Sequence, residues 1–133
     1  MAELPTPKAI VIVGASRDQA KYGNRAVRAY RDAGATVYPV NPNAPEVEGL
    51  KAFATGADVP AGATDLASIY TPPAVTATLL PELARYGIKR AYFNPGAETD
   101  ELVAQARQLG IEPILACSVT AISKSPEDYA PAT

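Results

Sequence analysis

Apolar positions along this chain follow two alternating rhythms. Five short runs are apolar almost throughout: Lys8–Val13, Thr36–Val40, Leu66–Tyr70, Ile88–Phe93 and Ile111–Ala116. Runs of that length and uniformity predict strands buried on both faces, as in a parallel sheet. Between them, apolar residues recur at helical spacing. From Gly23 to Ala33 the stripe is Ala26, Ala29, Tyr30 and Ala33; from Ala74 to Tyr86 it is Val75, Leu79, Leu80 and Leu83. A third stripe, Leu102, Ala106 and Leu109, follows Thr99, an N-cap residue, with Asp100 and Glu101 suited to the helix dipole. Gly34, Gly87 and Gly110 stand where these helices should end. Pro81 predicts a kink in the second helix, or its division into two pieces. Residues 44–62 carry Pro45, Gly49, Gly56, Pro60 and Gly62 around a short apolar patch. They read as an irregular connection with one short strand or helical turn. Beyond Cys117 the chain is small and polar, with Pro126 and Pro131, and reads as a loop and a loosely held tail.

A helix, a glycine, a strand and a turn recur three times, at about 30 residues per unit, which is the βαβ rhythm of a parallel sheet. The expected fold is α/β: a Rossmann-like open parallel sheet of five main strands in the order 3-2-1-4-5, with helices on both faces. That order makes the first strand central and puts the fifth, which contains Pro113, at an edge, where a missing N–H is tolerated. The 133 residues form one domain, with a core of about 8–122 and a tail of about 123–133.

In such sheets ligands bind beyond the carboxyl ends of the strands. Those ends are Gly14-Ala15-Ser16, Asn41-Pro42-Asn43, Thr71-Pro72-Pro73, Asn94-Pro95-Gly96-Ala97 and Cys117-Ser118. The first is the most informative. An apolar strand, a glycine turn, a polar loop with Arg17 and Lys21, and Gly23-Asn24 opening a helix make a phosphate-binding corner. The G-x-G-x-x-G fingerprint is absent, since Ser16 stands at its second position, and so is the Gly-Lys-Ser/Thr of a P-loop. No acid follows the second strand until Glu46, so the usual partner of the NAD ribose diol is missing. Arg28 and Arg31 read as a solvated helix face.

Composition narrows the chemistry. The chain is 47% hydrophobic and 20% charged with a net charge of −2, which fits a globular protein and excludes a broad basic face for nucleic acid. No apolar run is long enough to span a membrane, and Met1–Lys8 has no apolar core of a signal peptide. One cysteine gives no internal disulfide, so a reducing cytoplasm is expected. The absence of histidine removes Ser-His-Asp and Cys-His catalysis and the commonest metal ligand. The carboxylate pairs Glu46/Glu48, Asp100/Glu101 and Glu127/Asp128 read as solvated. Of Tyr22, Tyr38, Tyr70, Tyr86 and Tyr92, only Tyr22 lies within the phosphate loop.

The motif from Gly14-Ala15-Ser16 through Lys21, Gly23 and Asn24, a helix, and then Val37-Tyr-Pro-Val-Asn-Pro42 resembles the CoA-binding domain family. That fold is shared with the N-terminal part of the succinyl-CoA synthetase α subunit. Tyr70-Thr-Pro-Pro73, Phe93-Asn-Pro-Gly-Ala97 and the cysteine after the fifth strand extend the resemblance over roughly residues 8–122. It implies that Gly14, Ala15 and Ser16 hold a pyrophosphate, with Lys21, Tyr22, Gly23 and Asn24 completing the cradle. Val40, Asn41 and Pro42 would line the adenosine pocket. Thr71, Pro72 and Pro73 would follow the pantetheine, with Asn94, Pro95, Gly96 and Ala97 at its far end. Arg17 is added from charge and position alone. The cofactor implied is coenzyme A or an acyl-CoA, bound without catalysis by this chain, since no phosphorylated histidine is available. A second reading, an NAD(P)-binding or nucleotide-sensing module acting through a protein partner or a homo-oligomer, stays open. Cys117 reads either as a small half-buried hydrophobe or as a partner for the CoA thiol in a mixed disulfide.

Overall fold

A computed structural model describes residues 6–131. The N-terminal stretch read for a signal peptide lies largely outside them, as do residues 132–133 of the tail. Strands β1 (Ala9–Val13), β2 (Thr36–Val40), β5 (Leu66–Ile69), β6 (Arg90–Phe93) and β7 (Glu112–Ile114) form one parallel sheet. Helices α1 (Tyr22–Asp32), α2 (Pro73–Tyr86) and α3 (Asp100–Gln108) cover it. The side-chain alternation of β1 separates the two layers. Ile10 and Ile12 pack with Ala26, Val27, Ala29 and Tyr30 of α1. Val11 and Val13 pack with Leu80 and Leu83 of α2 and with Leu102 and Ala106 of α3. The α/β class, the five parallel strands and the helices on both faces are as the sequence pattern requires.

The strand order differs from the expected one. The sheet runs β2-β1-β5-β6-β7, which in terms of the five main strands is 2-1-3-4-5. The third strand lies beside the first, β2 becomes an edge, and the central strand is β5. The reason lies in Pro39. Thr36 donates its N–H to Lys8 and Val40 accepts from Gly14, so the even positions of β2 face β1. Pro39 faces the other way, where an inner strand would need the N–H that proline lacks. There its carbonyl accepts from Phe53, and Phe53 in turn accepts from Asn41, a single bridge that closes the edge. Pro113 in β7 meets the same condition at the opposite edge, as expected.

Residues 44–62 are more ordered than a wandering connection. They hold the two-stranded hairpin of β3 (Glu46–Val47) and β4 (Leu50–Lys51), followed by a 3-10 turn at Gly56–Asp58. Helix α2 is continuous through Pro81. Proline removes the N–H that would reach Ala77, and Gln105 of α3 supplies the bond instead, its Nε2 lying 3.0 Å from that carbonyl.

The tail is held rather than loose. Arg28 donates to the Tyr129 carbonyl and lies 5.5 Å from its ring centroid, and the Tyr129 hydroxyl reaches Asp32 at 3.0 Å. Arg31 donates to the Glu48 carbonyl at 2.6 Å. Arg28 is therefore a half-buried structural tie rather than part of a solvated face, whereas Arg31 is exposed as expected while also tying α1 to Glu48. No helix among the described residues is long and apolar enough to cross a membrane.

Candidate functional site

In this strand order the chain departs in opposite directions from β1 and β5, and the crevice at their carboxyl ends is the switch point of the sheet. A cleft of about 1260 Å³ opens there, at the upper end of or beyond the roughly 300–1,000 Å³ typical of small-molecule sites. Such a volume suits an extended ligand.

The first loop closes tightly over the start of α1. Gly14 has φ +85°, and a Cβ on it would lie 3.1 Å from the backbone N of Thr71. Gly23 is needed for a different reason: a Cβ there would collide with the Gly14 carbonyl oxygen. Ser16 Oγ accepts from the Asp18 amide at 3.0 Å, and Asp18 Oδ1 accepts from Ala20 at 2.9 Å, which folds residues 16–20 onto themselves. The backbone amides of Ala15, Ser16, Arg17, Tyr22 and Gly23 find no acceptor among the described residues. No acid occupies the first turn of α1, so its dipole is uncompensated. Gly14, Ala15, Ser16, Lys21, Tyr22 and Gly23 all line the cleft. Arg17 is exposed and lies outside the lining.

Asn24 is completely buried and does not line the cleft. Its Nδ2 donates to the Ser16 carbonyl at 2.8 Å and to Glu48 Oε2 at 3.0 Å, and its Oδ1 accepts from Arg28 Nε at 2.7 Å. With its capacity filled, it braces the loop from behind.

Val40, Asn41 and Pro42 line the next wall. The Asn41 side chain is internally committed, donating to the Ala15 carbonyl at 2.8 Å and accepting from the Asn43 amide at 2.7 Å. It locks the first two loops together. At the end of β5, Thr71 and Pro72 line the cleft whereas Pro73, the first residue of α2, does not. Buried Thr76 ties this loop to α2 through the Thr71 hydroxyl at 2.7 Å and the Pro72 carbonyl at 3.0 Å.

Asn94, Pro95, Gly96 and Ala97 form the far wall, with half-buried Cys117 beside them. Asn94 is the centre of a buried polar network. It donates to Ser68 Oγ at 2.8 Å and the Ile69 carbonyl at 2.9 Å, and accepts from the Ser118 amide at 2.9 Å. Ser118 Oγ accepts from Ser68 at 2.8 Å and meets the Tyr70 hydroxyl at 3.0 Å; its carbonyl accepts from Tyr30 at 2.7 Å. Burial, the main cause, pushes the Tyr70 phenol up to about 12 and raises those of Tyr30 and Tyr92 above their ordinary value, so all three are neutral donors at neutral pH.

The sequence reading did not single out Val13, Ala54, Thr55, Val75 and Leu79 as lining residues, though all border the cleft. Val75 and Leu79 were counted in the helical stripe of α2, and Val75 is 45% exposed. Their place in the first two turns of a helix that starts at a strand end was the available signal. Ala54 and Thr55 come from the irregular connection and carried none. Among the described residues, only Lys21, Tyr22, Tyr70 and Cys117 bring titratable side chains to the lining, and no carboxylate does. The cleft thus joins an electropositive, amide-rich corner to an apolar wall of Pro72, Val75, Leu79 and Pro95, an arrangement for holding an anion and the slender chain attached to it.

The family model described as a CoA binding domain matches residues 8–122. An ADP-forming acetate–CoA ligase II of Archaeoglobus fulgidus is 34% identical over 103 residues, which are 76% of this chain and 15% of that protein. The curated relatives it matches are far longer, and the chain spans less than a fifth of their length. Among solved structures, a conserved hypothetical protein from Pyrococcus furiosus superposes with a TM-score of 0.75 at 36% identity, covering 80% of this chain and 90% of that one. The dinucleotide forming acetyl-coenzyme A synthetase 1 of Ca. Korarchaeum cryptofilum gives 0.71 at 32% identity, over 82% of this chain and 26% of that one.

Proposed function

This chain belongs to the CoA-binding domain family, and from that premise we propose that it binds coenzyme A, free or acylated, across the cleft at the carboxyl ends of its strands. The observation that carries the reading is the first loop. The amides of Ala15, Ser16, Tyr22 and Gly23, without internal acceptors among the described residues, a helix N-terminus without an acid in its first turn, and Lys21 all belong to one corner of the cleft. The pyrophosphate sits there. The pantetheine runs along Thr71, Pro72, Val75 and Leu79 toward Asn94, Gly96 and Cys117. Val40, Asn41 and Pro42 border the adenosine. Arg17 reaches the phosphates from outside the lining.

Selection against NAD follows from the second loop. A dinucleotide site places a carboxylate at the end of β2 to hold the ribose diol, and this chain has there Asn41, a neutral side chain already held by Ala15 and Asn43. In this reading the chain holds its ligand and leaves the chemistry to another protein: among the described residues the lining offers no carboxylate, and the sequence has no histidine. Chemistry on the thioester belongs to a partner protein, in keeping with the much longer relatives. Calorimetric titration tests the reading. Micromolar binding of CoA, with NAD, NADP and ATP silent, is expected; binding of a nicotinamide nucleotide with none of CoA would overturn it.

A further inference from the structure

The hairpin of β3 and β4 contains a backbone conformation that its turn type explains only in part. Its two-residue turn, Glu48-Gly49, has positive φ at both positions, +52° and +78°. That is the mirror-image turn a hairpin favours, but its first position usually takes Asn, Asp or Gly. A glutamate there strains the backbone. The side chain of Glu48 supplies the reason. Its carboxylate accepts from Asn24 Nδ2 at 3.0 Å and from Gln19 Nε2 at 3.2 and 3.4 Å, while its carbonyl accepts from Arg31 at 2.6 Å. Asn24 passes the constraint on to the Ser16 carbonyl, and Arg28 holds both the Asn24 Oδ1 at 2.7 Å and the Gln19 carbonyl at 3.1 Å. None of Gln19, Asn24, Arg28, Arg31 and Glu48 lines the cleft.

We infer that Glu48 is a positioning residue for anion binding: from outside the cleft, its ionised carboxylate fixes residues 16–21 so that the free amides of the first loop stay aimed at the phosphates. The inference rests on the proposed site. Pre-set amides bind an anion without the cost of ordering the loop, and that is the share of affinity Glu48 controls. Gln19, Asn24, Arg28 and Arg31 are the groups that face the carboxylate, and the Asn24 bond holds it below the usual carboxylate range.

The test variant is Glu48→Asn, because asparagine tolerates positive φ and keeps the turn, yet its shorter side chain loses both Gln19 and Asn24. Glu48→Gln, with the charge removed and the length kept, is the graded companion. Two measurements are made on each folded variant: NMR order parameters of the amides of residues 15–21 without ligand, and titration with CoA. Expected for Glu48→Asn is a fall in order confined to residues 15–21, with residues 25–32 unchanged, and CoA binding weakened roughly tenfold, the scale of one lost charge-assisted hydrogen bond. Glu48→Gln falls between the variant and wild type. Unchanged loop order, unchanged affinity, or order lost equally along α1 would each overturn the inference, the last by showing a general structural anchor. Failure of wild type to take CoA would defeat the proposed function, while the ligand-free order parameters would still decide the role of Glu48.

Discussion

The two ends of the cleft solve opposite problems with similar residues. At the first loop, the polar side chains of Asn24, Asn41, Ser16 and Asp18 turn inward onto carbonyls and amides of their own loop or of its neighbours, and the cleft-lining residues Ala15, Ser16, Tyr22 and Gly23 keep backbone N–H groups without an acceptor among the described residues. At the far end, the buried polar groups of Ser68, Asn94, Ser118 and Tyr30 are spent on one another. One end uses side chains to present a backbone; the other uses them to cross-link β5, β6 and the Cys117–Ser118 turn. An asparagine at a strand end is therefore no guide to which role it has. The deciding question is where its amide and carbonyl go.

The comparison breaks most directly at Gly23. A methyl group at that position meets the Gly14 carbonyl, so Gly23→Ala must push the start of α1 away from the first loop. The expected cost is about 1–3 kcal/mol of stability, read by denaturant unfolding. CoA affinity should fall at least about a hundredfold, because the amides on both sides of the contact lose their common aim. A variant with wild-type affinity would show that the corner is not the anion site.

Ser118→Ala is the matching change at the other end. It removes the hydroxyl that accepts from Ser68 and meets Tyr70, at a residue that does not itself line the cleft. Leaving those buried groups short of a partner should cost about 2 kcal/mol. CoA affinity per folded molecule should stay within about twofold. A large loss of affinity with little loss of stability would mean that the network faces the ligand after all.

Most of this architecture was legible in the sequence, and the strand order, which was not, is instructive. Continuous apolar runs and helical stripes located every main strand and helix, because burial on both faces of a parallel sheet leaves few alternatives. The order of strands is decided by something weaker: which strand can do without an N–H. Pro113 was read that way and stands at an edge; Pro39 carries the same message, and it put β2 at the other edge. Proline inside α2 misled in the other direction, since only the folded molecule brings Gln105 to the orphaned Ala77 carbonyl. At the site, the strand-end rule gathered Gly14 to Ser16, Val40 to Pro42, Thr71, Pro72 and Asn94 to Ala97 around one cleft. It did not separate Asn24, Arg17 and Pro73, which lie beside the cleft rather than on it. Ala54 and Thr55 were invisible because nothing in a Gly- and Pro-rich connection says which bend returns to the sheet.

The two ends also differ in how they respond to pH, and alkali sharpens the contrast. Burial raises the phenols of Tyr30, Tyr70 and Tyr92 above the ordinary tyrosine value of about 10, Tyr70 to about 12. Between pH 10 and 12 the unfolded chain releases the Tyr70 proton while the folded chain keeps it, and the raised phenols of Tyr30 and Tyr92 act in the same direction. Stability is therefore complete below pH 10 and is lost as pH rises through that window, by about 1.4 kcal/mol per pH unit for each tyrosine involved. Unfolding midpoints measured from pH 8 to 12 should show this steepening. Tyr70→Phe should lessen it. A flat profile would mean that the network opens to water before the phenols ionise.

The smallest effect is expected away from both ends, where α3 repairs α2. Gln105→Ala leaves the Ala77 carbonyl without the donor that replaces the missing N–H of Pro81. The site is only partly buried, so water can take part of the role, and a loss of about 1 kcal/mol is expected rather than the full cost of a stranded carbonyl. The double variant Gln105→Ala with Pro81→Ala gives the helix back its own hydrogen bond, and should recover that loss. CoA affinity should not move in either variant, since neither residue borders the cleft. Recovery in the double variant would show that Gln105 acts through the carbonyl; a loss that persists would place its contribution in packing between α2 and α3 instead.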